Sequence, residues 1–324
     1  MRLLHEPLRD RVVEEGDEVG CEGLPVRLTA QTVDPNLWGT NKTVNCFAQS
    51  GNTLYIGGSF ERVGPCSGGG VPVDGRSGLP RAGYPKVNGH VFASLPDGCG
   101  GWFIAGEFRV VGGQPRVNAA HILADGRVGE WAPNPLFRAG NRSPLVWALA
   151  RAGDTVYVAG DFDSVGGAVR LGLAAVDATT GAALSWDAAP SAYGMNALAL
   201  KGDTLFVAGN FGEIGGLSRS YLAAVSRSTG AAFDWNPRPD YNVRTLRVYG
   251  QTLYVGGQFW TMGGLARDGL AAFDLTTGAM TDWDPKLTRP VNFDSWDDLV
   301  ADVVVNRGTV YLAGAFAAMG GKPR

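Results

Sequence analysis

Hydrophobic positions along this chain come in short bursts broken by Gly and Asp, and the bursts recur in a fixed order. From Asp154 to Pro190 the order reads DTVYVAGDFDSVGGAVRLGLAAVDATTGAALSWDAAP. From Asp203 to Pro239 it reads DTLFVAGNFGEIGGLSRSYLAAVSRSTGAAFDWNPRP, and from Gln251 to Pro285 QTLYVGGQFWTMGGLARDGLAAFDLTTGAMTDWDP. Each copy predicts four strands. The first is an Ala/Leu/Val segment, Val146 to Ala150 or Asn196 to Leu200, whose small residues suit a crowded centre. A Gly-Asp pair follows, at Gly153-Asp154 and Gly202-Asp203, and such pairs favour hairpins. The second strand, Thr-Val-Tyr-Val-Ala-Gly, has the β-branched and aromatic content of a strand buried on both faces. The third, Leu-Ala-Ala-Val-Asp, runs into the turn Asp177 to Gly181, where Asp bonds the backbone and Gly supplies left-handed freedom. The fourth carries a Trp and leaves through a Pro-rich exit such as Asn236 to Pro239.

A Phe fixes the register of every copy, at Phe60, Phe108, Phe162, Phe211, Phe259 and Phe316. The spacing averages about fifty residues, the range of propeller repeats. The first two copies are degenerate but legible: TLYIGGSF leads to VPVDGRSG, and HVFASLPDGCGGWFIAGEF to HILADGRVGEWAPNP. The sixth is half a copy, ending at GAFAAMGGKPR before the strand that follows this turn elsewhere, which predicts a piece of a larger multidomain chain. The expected fold is all-β: a β-propeller of four-stranded antiparallel blades, five complete and a partial sixth. Residues 37–324 form the repeats, and residues 1–36 a leading segment in which Leu24 to Asn36 can supply a closing outer strand.

Composition narrows the class further. Gly is 48 of 324 residues and Pro 18 without a three-residue period, so the chain is rich in tight turns and is not collagen. A hydrophobic fraction of 45% with 18% charged residues excludes disorder. A net charge of −3 without a basic block argues against nucleic acid. No apolar run is long enough to cross a membrane as a helix, and the start, MRLLHEPLRDRVVEEGDEVGCEG, lacks the apolar stretch of a secretory signal. The four cysteines, Cys21, Cys46, Cys66 and Cys99, lack CxxC spacing, which disfavours zinc. Their even count points to a disulfide and an oxidising compartment. Cys66 and Cys99 fall in loops at opposite ends of their strands, so Cys21 with Cys46 or with Cys66 is the expected pairing.

The units resemble the delta-sixty repeats of bacterial cell-surface propellers, also found in a fungal cortical polarity-marker family. The resemblance is carried by Val-Gly-Gly-x-x-Arg after the Phe, Leu-Ala-x-x-Asp-x-x-Thr-Gly and Trp-x-Pro, and most specifically by PDGCGGWFIAGEF followed by AHILADGRV. It covers nearly everything from Thr43 onward and implies an extracellular or cell-surface location more than a chemistry. Kelch propellers are similar in pairing Gly-Gly with a downstream Trp. Quinoprotein propellers are similar in their Ala-x-Asp-x-x-x-Gly turn, which Ala175, Asp177 and Gly181 fit, although Trp186 arrives one residue late and no Cys-Cys pair is present.

The candidate chemistry divides into repeated and non-repeated residues. An Arg stands eight residues after the Phe at Arg116, Arg170, Arg219, Arg267 and Arg324, with Gly68 in the first copy. Such a ring can grip carboxylates or sulfated sugars. Its repetition favours an architectural role instead, each guanidinium stacking on its Trp or bonding a loop carbonyl. Trp131, Trp186, Trp235 and Trp283 can stack sugars but are expected to pack between blades. No GxxxxGK[ST], strand-linked GxGxxG, HExxH or GxSxG occurs among these glycines, serines and the three histidines, His5, His90 and His121. No cofactor or metal is therefore called for, and the acidic loop with Asp294, Asp297 and Asp298 lacks the ligand spacing of a calcium loop. The residue before the Phe varies (Ser59, Glu107, Asp161, Asn210, Gln258, Ala315), and Glu107 with Asp161 is a possible acidic site for a polysaccharide hydrolase or lyase. Two long fourth-to-first links offer a rim of Phe137, Arg138, Arg142, Phe293, Trp296, Asp297 and Asp298, able to meet a protein or glycan ligand on one loop face. The function expected from these residues is non-enzymatic binding or display.

Overall fold

The computed structural model describes residues 40–323 apart from 41, 62, 64–68, 82, 138–142 and 291–298. The closing strand expected in 1–36, Cys21, Cys66, Arg138, Arg142, Phe293, Trp296, Asp297, Asp298 and Arg324 lie outside the described residues. Every element described is a β-strand, and the strands pair antiparallel into ten small sheets of two to four strands. The described chain falls into two compact units, 40–132 with the first two copies and 133–323 with the rest.

The fourth copy shows how sequence becomes sheet. Its first strand, Met195–Lys201, turns at Gly202-Asp203 into Thr204–Gly209, which pairs on its other side with Leu222–Ser226. Between second and third strands the chain makes a two-stranded ribbon, Glu213–Ile214 against Leu217–Ser218. Gly215 and Gly216 form its tip with φ of 59° and 82°, the double left-handed geometry of a type I′ turn. The same ribbon and Gly-Gly tip recur at Ser164–Val165 with Ala168–Val169 and at Thr261–Met262 with Leu265–Ala266.

The expected fourth strand is much shorter than predicted. It contacts the third through single bridges, Val176↔Ala183, Val225↔Ala232 and Phe273↔Met280. In the third and fourth copies the ribbon takes part of the pairing: Ala183 N donates to Gly166 O at 2.9 Å and Ala232 N to Gly215 O at 3.0 Å, so the Gly-Gly tip holds amides that a longer strand would have used.

The core lies between copies. Along the second strand, side chains alternate from face to face. Leu205 and Val207 pack with Tyr157, Leu173 and Trp186 of the preceding copy. Phe206 and Ala208 pack with Leu253, Val255 and Phe259 of the following one. Tyr254 and Leu270 continue the series against Val300, Val303 and Val305. In the 40–132 unit Tyr55 packs with Trp102, Ile104 and Val91. The register residues Phe60, Phe108, Phe162, Phe211 and Phe259 are all buried.

The Asp turns close as their sequence requires. Asp177 Oδ1 accepts from Thr179 N at 3.0 Å, Thr180 N at 2.7 Å and Thr180 Oγ1 at 2.8 Å. Asp274 accepts from Thr276 N at 2.8 Å and Thr277 N at 2.9 Å. In the fourth copy Ser226 replaces the Asp, and its Oγ is bonded by Ser228 N and Thr229 N at 3.2 Å each. Among the described residues no disulfide is present; Cys46 is half-buried and Cys99 exposed, and Cys21, the member common to both expected pairings, lies outside the described range together with Cys66.

Candidate functional site

Within 133–323 the fourth-to-first links and the second-to-third loops meet at one end of the sheets. Leu136 N donates to Ser164 O at 2.8 Å, Ser191 Oγ accepts from Gly212 N at 3.1 Å and Glu213 N at 3.0 Å, and Asp240 Oδ1 accepts from Trp260 N at 2.8 Å and Thr261 N at 3.0 Å. The non-repeated residues are concentrated at this end.

A recurring bulge shapes its floor. The register slips between Val146 and Ala148, between Met195 and Ala197, and between Val243 and Thr245. Each slip leaves one residue out of the strand register and re-aims its side chain. Those residues are Trp147, Asn196 and Arg244. Trp147 Nε1 donates to Asp161 Oδ2 at 3.3 Å. Asn196 Nδ2 donates to Asn242 Oδ1 at 2.8 Å and Val243 O at 3.0 Å, and its Oδ1 accepts from Arg244 Nη1 at 3.3 Å. A Cβ on Gly194 would stand 3.5 Å from both Asp161 Oδ1 and Asn210 Cβ, which places those side chains side by side. The floor is thus amide-rich with one carboxylate and one guanidinium.

Aromatic rings stand around it. Phe137 meets Tyr193 edge-on at 5.3 Å. Tyr241 lies between Tyr221 at 6.1 Å and Trp260 at 5.7 Å. Arg289 places its Cζ 4.6 Å from the centroid of Trp260. Its Nη2 donates to Gln258 O at 3.1 Å and Phe259 O at 2.9 Å, and its Nε lies 3.6 Å from Asp268 Oδ1. Burial pulls the Arg289 guanidinium below its ordinary value against the opposing pull of Asp268 and Asp240. Trp260 remains 49% exposed, Tyr241 39% and Tyr193 37%, unusual for rings of this size in one neighbourhood.

The repeated residues serve the frame. Arg219 is buried; its Nε donates to Trp235 O at 3.1 Å, Nη2 to Phe233 O at 3.2 Å and Nη1 to Ser218 O at 2.9 Å. Arg170 reaches Leu184 O at 3.0 Å, Arg267 reaches Thr281 O at 3.3 Å, and Arg116 bonds Gly129 O. Each therefore fastens the ribbon of its copy to the shortened fourth segment.

The tryptophans pack on the second strand of their own copy: Trp131 on Phe103 at 4.9 Å, Trp186 on Tyr157 at 5.2 Å, Trp235 on Phe206 at 5.5 Å and Trp283 on Tyr254 at 5.2 Å. Trp186 Nε1 then donates to Ser226 O at 3.0 Å and Trp235 Nε1 to Gly278 O at 2.9 Å, carbonyls on the turn of the next copy.

Of the expected rim, Phe137 is the described member, and it joins the aromatic group. Glu107 lies in the 40–132 unit, exposed, 3.8 Å from His90 Nδ1, and Asp161 lies in the other unit beside Trp147. His121 is stacked on Phe103 at 4.2 Å and bonded to Asp97 Oδ2 at 2.9 Å. Burial acts to raise Asp97, but bonds from His121 and the amides of Cys99 and Gly101 outweigh it and hold the carboxyl below its ordinary value. No cluster of three or more His, Cys, Asp or Glu able to hold a metal occurs among the described residues.

Sequence reasoning missed Tyr193, Tyr241, Trp260 and the bulge residues. The signal was present for the rings: Trp260 follows the register Phe where other copies have Glu61, Arg109, Asp163, Gly212 or Ala317, and Tyr193 and Tyr241 occupy equivalent places before their first strands.

Repeated antiparallel sheets with their core between copies, tied by a carbonyl-bonding Arg and a bridging Trp, define a repeat protein of the β-propeller class. The family profile described as outer membrane protein assembly factor BamB matches residues 144–319, more than half of the chain, and the chain belongs to that family. No curated protein matches the sequence. Among solved structures, the extracellular domain of a putative one-component system, BT4673 from B. thetaiotaomicron, is similar with a TM-score of 0.53 and 12% identity, over 88% of this chain and 33% of that one. At that identity the likeness is one of fold. The Neurospora crassa Pan2 WD40 domain gives a TM-score of 0.46 and 13% identity over 84% of this chain and 75% of that one. The computationally designed Ika8 protein gives 0.44 and 14% over 84% and 80%. No helix among the described residues is long and apolar enough to cross a membrane.

Proposed function

We propose that this chain is a non-enzymatic binding module of an extracellular or cell-surface protein, engaging a protein or glycan ligand through the loop end of residues 133–323. The observation that carries the reading is the exposure of Trp260, Tyr241 and Tyr193 at one end of the sheets, on residues the repeat does not require. Large rings that neither fill the core nor recur in every copy are the residues on which interfaces depend. The repeated Arg and Trp residues, by contrast, are occupied within the frame.

The narrower architecture is also a proposal: residues 37–324 as one propeller of about six blades, with delta-sixty kinship and a place in a longer multidomain chain. Val-Gly-Gly-x-x-Arg, Asp-x-x-Thr-Gly and Trp-x-Pro support the kinship. The fold likeness to an extracellular domain agrees with the location.

The test is a binding screen of the full chain against immobilised polysaccharides and secreted proteins, repeated with Trp260→Ala. Binding that is lost in the variant at unchanged fold supports the reading. Binding that ignores the substitution overturns it, as does polysaccharide turnover that disappears in Asp161→Asn, which would transfer the chain to the hydrolases.

A further inference from the structure

We infer that the loop end of residues 133–323 is a carbohydrate-binding surface for a neutral polysaccharide, with Trp260 and Tyr241 as its stacking platform and the amides of Asn210 and Asn242 as its hydroxyl-reading groups. The inference rests on the binding-module reading above and names the ligand class for that same surface.

The argument begins with what a sugar ring presents. One face of a pyranose is a sheet of C–H bonds and its perimeter a circle of hydroxyls, each both donor and acceptor. A matching site needs flat apolar rings and, within reach of them, groups that donate and accept together. A carboxamide does this with one planar group. Here Trp260 and Tyr241 stand 5.7 Å apart and remain 49% and 39% exposed. Asn242 follows Tyr241 directly in the chain and is bonded to Asn196 at 2.8 Å. Asn210 is exposed and stands beside Gly194, next to Tyr193. Rings and amides therefore share one surface, supplied by consecutive copies.

The platform is also held in place. Arg289 lies over the Trp260 ring at 4.6 Å while its Nη2 bonds the carbonyls of Gln258 and Phe259 at 3.1 and 2.9 Å. Trp260 N is fixed by Asp240 Oδ1 at 2.8 Å. A ring fixed before the ligand arrives loses little rotamer freedom on binding.

Charge decides between neutral and anionic ligands. Arg289 is matched by Asp268 at 3.6 Å, Arg244 is engaged by Asn196, and Asp161 takes the Trp147 N–H. Among the described residues the guanidinium that touches the platform, Arg289, is therefore already matched and is not set to grip a uronate or sulfate. A sugar is favoured over a protein partner by the carboxamides beside the rings, since an apolar protein anchor needs no groups that donate and accept together.

The experiment is native affinity electrophoresis of the full chain in gels containing mixed-linkage β-glucan, galactomannan or xylan, with polygalacturonate as the anionic counterpart. At least one neutral polysaccharide is expected to retard the chain. Trp260→Ala and, separately, Tyr241→Ala are expected to weaken that association by about ten-fold each, the scale of a lost hot-spot aromatic. Leu217→Ser is expected to leave it unchanged. Circular dichroism and melting temperature check that each variant folds, and Tyr193→Ala, on a separate link, serves if Trp260→Ala does not. Retardation by polygalacturonate alone, or retardation equal in wild type and both aromatic variants, overturns the inference. Failure of every polysaccharide with a protein ligand bound through Trp260 sinks the carbohydrate assignment and leaves the binding module standing. Failure of both ligand classes sinks both.

Discussion

The Gly-Gly ribbon tips allow one physical effect to be separated from another by single methyl groups. Gly215 and Gly216 both have positive φ, at 59° and 82°. A Cβ at Gly216 would meet nothing within 4 Å, so Gly216→Ala incurs only the left-handed backbone cost, about 1 kcal/mol. A Cβ at Gly215 would stand 2.8 Å from Ala232 Cβ and closer still to Ala232 N, backbone that cannot swing aside. Relief would require moving the fourth segment off the ribbon. That strains the bonds from Gly215 N to Ala188 O at 2.6 Å and from Ala232 N to Gly215 O at 3.0 Å. Overpacking of about 1–3 kcal/mol and partial loss of two bonds near 1 kcal/mol each bring Gly215→Ala to about 3–5 kcal/mol. The fifth copy supplies an internal control. At Gly263 the nearest atom is Pro237 O at 3.6 Å, so Gly263→Ala should behave like Gly216→Ala and unlike Gly215→Ala, despite its identical place in the repeat. Urea unfolding followed by tryptophan emission reads the difference as a midpoint shift of about 1 M or more for Gly215→Ala, against less than half of that for the other two. Equal shifts at all three positions would refute the claim that contact with the fourth segment, beyond backbone conformation, makes the first Gly indispensable.

Other outcomes follow from the frame. Arg219→Lys should destabilise by about 2 kcal/mol in the same assay, because an ammonium cannot span Phe233 O, Trp235 O and Ser218 O as the fork does, whereas Arg127→Lys at an exposed pair should change little. Trp186→Phe should cost about 1 kcal/mol by removing the N–H that reaches Ser226 O while keeping a ring against Tyr157, and Trp186→Ala about 3–5 kcal/mol. The Asp177 and Asp274 carboxyls are held below their ordinary value by bonds from their turn residues, Thr180 and Thr179 for the one, Thr277 and Thr276 for the other. The unfolded chain therefore takes up protons first, so the stability these turns supply is present above about pH 4 and is lost as pH falls through the folded value. Asp177→Asn should shallow the acid limb of a stability-versus-pH curve, and an unchanged limb would refute the assignment.

The repeat was legible because its demands are local: an Asp that bonds its own turn, two glycines with positive φ and a buried Phe every copy leave their mark in the sequence. The fourth strand was overestimated because alternation and a Trp read as a strand, while the bonds that shorten it come from a ribbon and an Arg whose reach depends on tertiary placement. Of the aromatic group in 133–323, Phe137 was named in the sequence from the length of its link, whereas Tyr193, Tyr241 and Trp260 lie on short links or beside the register Phe, where the repeat hides them. Bulge residues such as Asn196 were invisible, since a slip in register is set by pairing with the second strand and leaves no composition signal.

The bridging tryptophans also bear on how the chain is made. Trp186 finds its carbonyl on Ser226, forty residues further along, and Trp235 finds its own on Gly278. A copy leaving the ribosome is therefore unfinished until most of its successor has emerged. Each newly synthesised sheet locks the one before it, and assembly runs from the amino end like a zip whose teeth are delivered one at a time.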